Sequence, residues 1–149
     1  MLKQIVAFAF LLLLPLAPSA SPALAADVVH KLALQVSDND ADKMNAALNV
    51  AANVSKYYGE KAEEVQIEIV AFNAGLHMLR EDTSPVKDRV QSFAQSMPNV
   101  AFRACNNTLE AMTRKEGRKP GIVANAEIVP AGVITLMELG SKGYTIIRP

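Results

Sequence analysis

Apolar and polar positions along this chain switch repeatedly between a period near two and a period near 3.6. Val28–Val36 is rich in branched residues and ends at the polar turn Ser37-Asp38-Asn39-Asp40, which predicts a first strand. From Asp42 the period lengthens. Met44, Ala47, Leu48, Ala51, Val54 and Tyr58 fall on one side, and Lys43, Asn49, Asn53 and Lys56 on the other, the signature of an amphipathic helix. Asp40 and Asp42 suit its start, and Gly59 is placed to stop it. Val65–Phe72 begins by alternating and ends continuously apolar, as a strand does when one end is more buried than the other. Asn73-Ala74-Gly75 follows as a turn, and Leu76–Leu79 as a short helical or irregular piece. Ser84 as N-cap with Pro85 at the first helical position predicts a second helix, with Val86, Val90, Phe93 and Met97 along its apolar face. Val100–Ala104 reads as a third strand and Thr108–Lys115 as a third helix. Ile122-Val123 and Glu127–Val129 offer a fourth strand, Val133–Leu139 a fourth helix by its spacing, and Tyr144–Ile147 a final strand. Strands alternating with helices predict an α/β fold, a three-layer sandwich around a mostly parallel five-stranded sheet.

Composition changes this picture at the N-terminus. Lys3, the apolar stretch Ile5–Leu16 and the small-residue site Ala23-Leu24-Ala25 read as a secretory leader over residues 1–25, cleaved after Ala25, with residues 26–149 as one domain. The apolar stretch is shorter than the roughly 20 residues a membrane-spanning helix needs. The expected location is therefore the periplasm or another exported compartment, with no membrane attachment after cleavage. Losing Lys3 from 15 basic residues, against 15 acidic ones, leaves a formal charge of −1. That balance provides no footprint for nucleic acid or for an anionic membrane.

Cys105 is the only cysteine. It closes the apolar run Val100–Ala104 and precedes Asn106-Asn107-Thr108, which reads as a helix start. A thiol at a strand-to-helix junction meets outward-pointing backbone N–H groups, which favour the thiolate. In an oxidising compartment a lone cysteine has no intramolecular partner. It is either buried and inert or exposed and chemically used. Arg103, two residues earlier, is expected on the same face of the strand, where it adds positive charge or is simply solvated.

Five segments together resemble a known family. They are Lys31-Leu32-Ala33-Leu34-Gln35-Val36, Val70-Ala71-Phe72-Asn73-Ala74-Gly75-Leu76, Phe102-Arg103-Ala104-Cys105-Asn106-Asn107-Thr108-Leu109, Val129-Pro130-Ala131-Gly132-Val133 and the terminal Gly143-Tyr144-Thr145-Ile146-Ile147-Arg148-Pro149. In this order they are similar to the DsrE/DsrF-like family, which has the YchN-like α/β fold, and to its small single-domain branch. The resemblance covers nearly all of residues 26–149. It implies a largely parallel five-stranded sheet between helices, assembled as a homo-oligomer such as a trimer or hexamer. It also implies that Cys105, at the matching position, carries sulfur as a persulfide exchanged with a donor or acceptor protein. By the same resemblance the turn at Pro130 lies near the cysteine and its backbone lines the pocket.

The candidate ligand contacts are Asn106, Asn107 and Thr108 at the helix start, Asn73 and Gly75 in the turn after the second strand, His77 as a base near the thiol, and Pro130. His30, inside the first strand, reads as structural. Two distant histidines and one cysteine give no metal-ligand spacing, so no metal and no other cofactor is expected. No Gly-x-Gly-x-x-Gly loop or nucleophile-elbow motif is present. Two functions remain. One is a sulfur-handling protein acting through Cys105. The other is a non-catalytic oligomeric module that binds a small ligand or a protein, in which Cys105 only packs.

Overall fold

The structure, a computed structural model, describes residues 28–149. The leader read in residues 1–25 lies outside the described residues. Five strands, β1 (His30–Val36), β2 (Val65–Ala71), β3 (Val100–Cys105), β4 (Ala126–Val129) and β5 (Thr145–Ile147), form one sheet of order β4-β3-β2-β1-β5, and every pairing is parallel. Between them run α1 (Ala41–Glu60), α2 (Lys87–Ser96), α3 (Asn106–Glu116), α4 (Gly132–Ser141) and a 3₁₀ segment at Asn73–Leu79.

Connectivity decides which face each helix covers. Crossovers between parallel strands are right-handed in nearly all proteins. The chain moves stepwise from β1 to β4, so α1, α2 and α3 share one face of the sheet. It then returns across the whole sheet to place β5 beside β1, and this reversal puts α4, alone among the described helices, on the opposite face. The result is an α/β three-layer sandwich. Its larger core holds Leu32, Leu34, Ile67, Ile69 and Phe102 against Met44, Leu48, Val90 and Leu109 of the three-helix layer. Its smaller core holds Ala33, Val70, Phe72 and Cys105 against Leu136 and Leu139 of α4.

Local chemistry explains the element ends. Asp40 caps α1, its Oδ1 accepting from the N–H of Asp42 (2.9 Å) and Lys43 (3.2 Å). Gly59 does not stop this helix. It runs on to Glu60, and Ala62 (φ 55°) makes the left-handed turn instead. Ser84 and Pro85 also lie outside the helix they were expected to open, because α2 starts at Lys87. The Ser84 hydroxyl donates to the Met78 carbonyl (2.6 Å) and accepts from the Val86 N–H (3.3 Å), tying the turn down one step earlier. The apolar face expected for α2 is the one observed, with Val86, Val90 and Phe93 buried. Ile122 does not join the fourth strand; it forms a single antiparallel bridge to Arg80.

Candidate functional site

β3 and β4 are neighbours whose exits diverge. β3 leads into α3 on one face, and β4 leads through Pro130-Ala131 into α4 on the other. Ligands in open parallel sheets bind at such a point, outside the carboxyl ends of the strands. Cys105 is the last residue of β3 and pairs in register with Val129, the last residue of β4. Beside it opens a cavity of about 590 Å³. Phe72 and Asn73, at the end of β2, line its base. Asn107, Thr108, Ala111, Met112 and Lys115 line it from α3, following the helical repeat. Ala131, Gly132, Val133 and Ile134 form the facing wall at the start of α4.

Cys105 is buried, with 5% of its surface exposed, yet it borders this cavity. Of the two situations expected for a lone cysteine it satisfies neither fully: the thiol is covered by protein but reachable through the cavity. Burial pushes the thiol pKa up. The Thr108 hydroxyl and the backbone N–H groups of Gly132, Thr108 and Asn107 outweigh it and hold the pKa below the ordinary thiol value. These donors come from the first turns of both α3 and α4, each with roughly half a positive elementary charge at its N-terminus. In the neutral form the Cys105 side chain makes no capping hydrogen bond to α3, so the donors act chiefly on the anion. Thr108 is prepared for this role. Its Oγ1 accepts from the Asn73 N–H at 2.9 Å, which leaves its own proton free to donate. Asn73 itself sits at φ 49°, a left-handed conformation that asparagine tolerates better than most residues.

The structure brings Asn73, Asn107 and Thr108 to Cys105, but not all the candidates. Asn106 turns away and donates from Nδ2 to Glu110 Oε1 (2.8 Å). His77 does not line the cavity; its Nδ1 is engaged with Thr83 Oγ1 at 2.7 Å, so it is not placed as a base for the thiol. Gly75 is buried for packing. A Cβ there would lie 2.5 Å from the Val36 carbonyl carbon and 2.7 Å from the Ser37 nitrogen, and the residue does not line the cavity. Pro130 contributes only indirectly, its carbonyl accepting from the Asn107 N–H at 3.3 Å. Arg103 does face the same side as Cys105. Its guanidinium, however, is committed to Glu68 (2.5 and 3.0 Å) and to Glu127, so its charge is spent on carboxylates rather than on the thiol. His30 is structural, as expected: it stacks on Tyr58 with ring centroids 3.8 Å apart and meets Glu63 Oε2 at 2.8 Å. No group of three or more His, Cys, Asp or Glu residues suited to a metal ion occurs among the described residues.

The resemblance put the turn at Pro130-Ala131-Gly132 beside the cysteine, and Ala131 and Gly132 do line the cavity; the residues not singled out are Ala111, Met112, Lys115 and Ile134. For α3 a signal existed, since Ala111 and Lys115 follow Asn107 at helical steps of four. Gly132 is the most tightly constrained of the α4 wall. A Cβ on it would lie 2.9 Å from the Phe72 Cβ and 3.0 Å from its Cδ1. Only glycine lets the first turn of α4 come down onto Phe72 and aim its N–H at the sulfur.

No protein-family model and no curated protein matches this chain. Among solved structures it is similar to a protein of unknown function, MTH1491 from Methanobacterium thermoautotrophicum. The identity is 26%, the TM-score 0.60, and the match covers 80% of this chain and 99% of the other.

Proposed function

We propose that this protein carries sulfane sulfur on Cys105, in keeping with its resemblance to the DsrE/DsrF-like family. The observation that supports the reading best is the convergence of two helix N-termini on one thiol at the edge of a cavity. The step balances without an oxidant. The Cys105 thiolate attacks the outer sulfur of a donor persulfide, an Sγ–S bond forms, the donor's S–S bond breaks, and the donor leaves as its thiolate. The donor's outer proton stays on the transferred sulfur. Transfer to an acceptor is the same exchange in reverse. The N–H groups of Gly132, Thr108 and Asn107 hold the negative charge on Sγ before attack, and they favour the persulfide anion once its outer proton has passed to solvent. The protein works as a homo-oligomer, a trimer or hexamer, and the leader read in residues 1–25 sends it to the periplasm or another exported compartment.

Incubation with a persulfide donor followed by mass spectrometry is expected to show the mass of one sulfur added at Cys105. In Cys105→Ser the fold persists and the gain disappears. A free, reactive thiol that takes no sulfur from any donor class overturns the reading.

A second reading, a non-catalytic ligand-binding module, is favoured by one observation: most of the cavity wall is apolar and Cys105 is nearly covered. Under it Cys105→Ser keeps both the fold and the binding function.

A further inference from the structure

The cavity beside Cys105 is elongated, and its two ends differ chemically. Along α3 it runs from Asn107 to Lys115, two helical turns or about 12 Å of axis. The thiol lies at the N-terminal end of that run, and Lys115 at the other. Between them the surface is apolar: Ala111 and Met112 on one side, Val133 and Ile134 on the other, Phe72 beneath. Among the described residues no acidic side chain lines the cavity. Lys115 is exposed and makes no ion pair among the described residues. The Cα–Cβ bonds of a helix tilt toward its N-terminus, so Lys115, which lines the cavity, leaves the helix on the side of the groove that leads back to Cys105. A volume of about 590 Å³ suits a small organic molecule. An inorganic donor would leave the apolar middle unfilled.

We infer that the sulfur donor is a low-molecular-mass persulfide whose organic part is an apolar chain ending in a carboxylate, its outer sulfur at Cys105 and its anion at Lys115. The inference rests on the sulfur-carrier reading and names the substrate class of that site. The chain fills the slot between α3 and the start of α4, and the departing thiolate stays tethered at Lys115 until the persulfide on Cys105 has formed. The simpler role for Lys115, neutralising the C-terminal end of α3, is shared by Arg114, which lies outside the cavity. That difference supplies the control.

The experiment measures Cys105 modification by methanethiosulfonates, in which the thiolate attacks the reagent's sulfenyl sulfur, a mixed disulfide forms and methanesulfinate leaves. Reagents with ω-carboxyalkyl tails are compared with alkyl reagents of matched length, at low salt. The carboxylate is expected to raise the rate about threefold to fivefold, the size of an exposed ion pair. The advantage should peak at an intermediate chain length. In Lys115→Met the ratio of the two rates falls to unity, Lys115→Arg retains it, and Arg114→Met leaves it unchanged. A ratio of unity at every length in the wild-type protein, or one that survives Lys115→Met, overturns the donor class. Sulfur gain from ω-carboxyalkyl persulfides is scored on the same preparations. A gain from protein or uncharged persulfides with a flat ratio overturns the donor class and leaves sulfur carriage standing. No gain from any donor with the ratio intact removes sulfur carriage, and this donor with it.

Discussion

Thr108 does two jobs through one oxygen: it accepts from the Asn73 N–H and offers its proton to Cys105. Thr108→Val keeps the shape and removes both. The thiol then loses a stabiliser of its anion, so the pH midpoint of alkylation is expected to rise toward the ordinary thiol value. The unpaired Asn73 N–H costs about 1 kcal/mol in denaturant titration. Because the folded thiol titrates below its unfolded value, its contribution to stability is complete above the unfolded pKa. It is lost as the pH falls through the folded one. Gly132→Ala tests the opposite wall. The added methyl presses on Phe72, which costs about 1–3 kcal/mol as an overpacked contact and withdraws an N–H from the sulfur. A midpoint that stays put in both variants would show that these donors do not set the acidity of Cys105. At this scale the sequence was informative where a residue's neighbours in the chain are its neighbours in space, as with Cys105, Asn107 and Thr108. Gly132 entered only through the family resemblance, and its contact with Phe72, sixty positions earlier and met only through the sheet, was not legible.

Elements were legible in proportion to the strength of their period. β1, α1, β2 and the apolar face of α2 follow directly from side-chain spacing, whereas their ends were set by contacts the pattern does not carry. Ser84-Pro85 looked like a helix start, but the Ser84 hydroxyl is spent on the Met78 carbonyl. The 3₁₀ segment after β2 depends on a residue the pattern also hides, Arg80, which is 2% exposed. Arg80 holds Asp82 (2.8 and 2.9 Å) and Glu116 (2.5 and 2.9 Å), and so fastens the end of this segment to the last turn of α3. Its Nη1 also rests 3.7 Å from Met112 Sδ, whose side chain lines the cavity. Arg80 keeps both carboxyls below the usual carboxylate range, and Arg118 adds to the effect on Asp82. With both folded values depressed, the pairing stabilises the fold fully above the ordinary carboxylate range and is lost as the pH falls through the depressed values. Arg80→Met is therefore expected to lower the thermal midpoint at neutral pH, and the gap from wild type should narrow in acid. A gap that is constant with pH would assign the loss to packing rather than to charge.

For the whole molecule, strand order is the property that creates the site, and it is the one a single sequence does not carry. The period of each segment predicts strands and helices, but the divergence of β3 and β4 appears only once β5 is known to lie beside β1. The same reversal leaves α4 as the sole cover of one face among the described residues, with Val133 and Ile134 each 52% exposed and Met137 66% exposed. Ile128 on one sheet edge and Ile146 and Ile147 on the other add to the exposed apolar surface, and both edge strands are short. Apolar side chains left open on a lone covering helix are what the proposed assembly would bury. Val133 and Ile134 also belong to the cavity wall, so an interface there would complete the groove beside Cys105. Met137 is the sharper probe because it is the most exposed of the three on α4 and does not line the cavity. Met137→Glu places a charge where an apolar contact is expected, at a cost of several kcal/mol if the contact is buried. Each ~1.4 kcal/mol is a tenfold weakening, so light scattering at matched concentration should show the protomer where the unsubstituted chain shows a trimer or hexamer. The fold, read by circular dichroism, should be unchanged, because the position is on the outer face of α4. A wild-type chain that scatters as a protomer at every concentration would remove the assembly and leave the cavity a property of one chain.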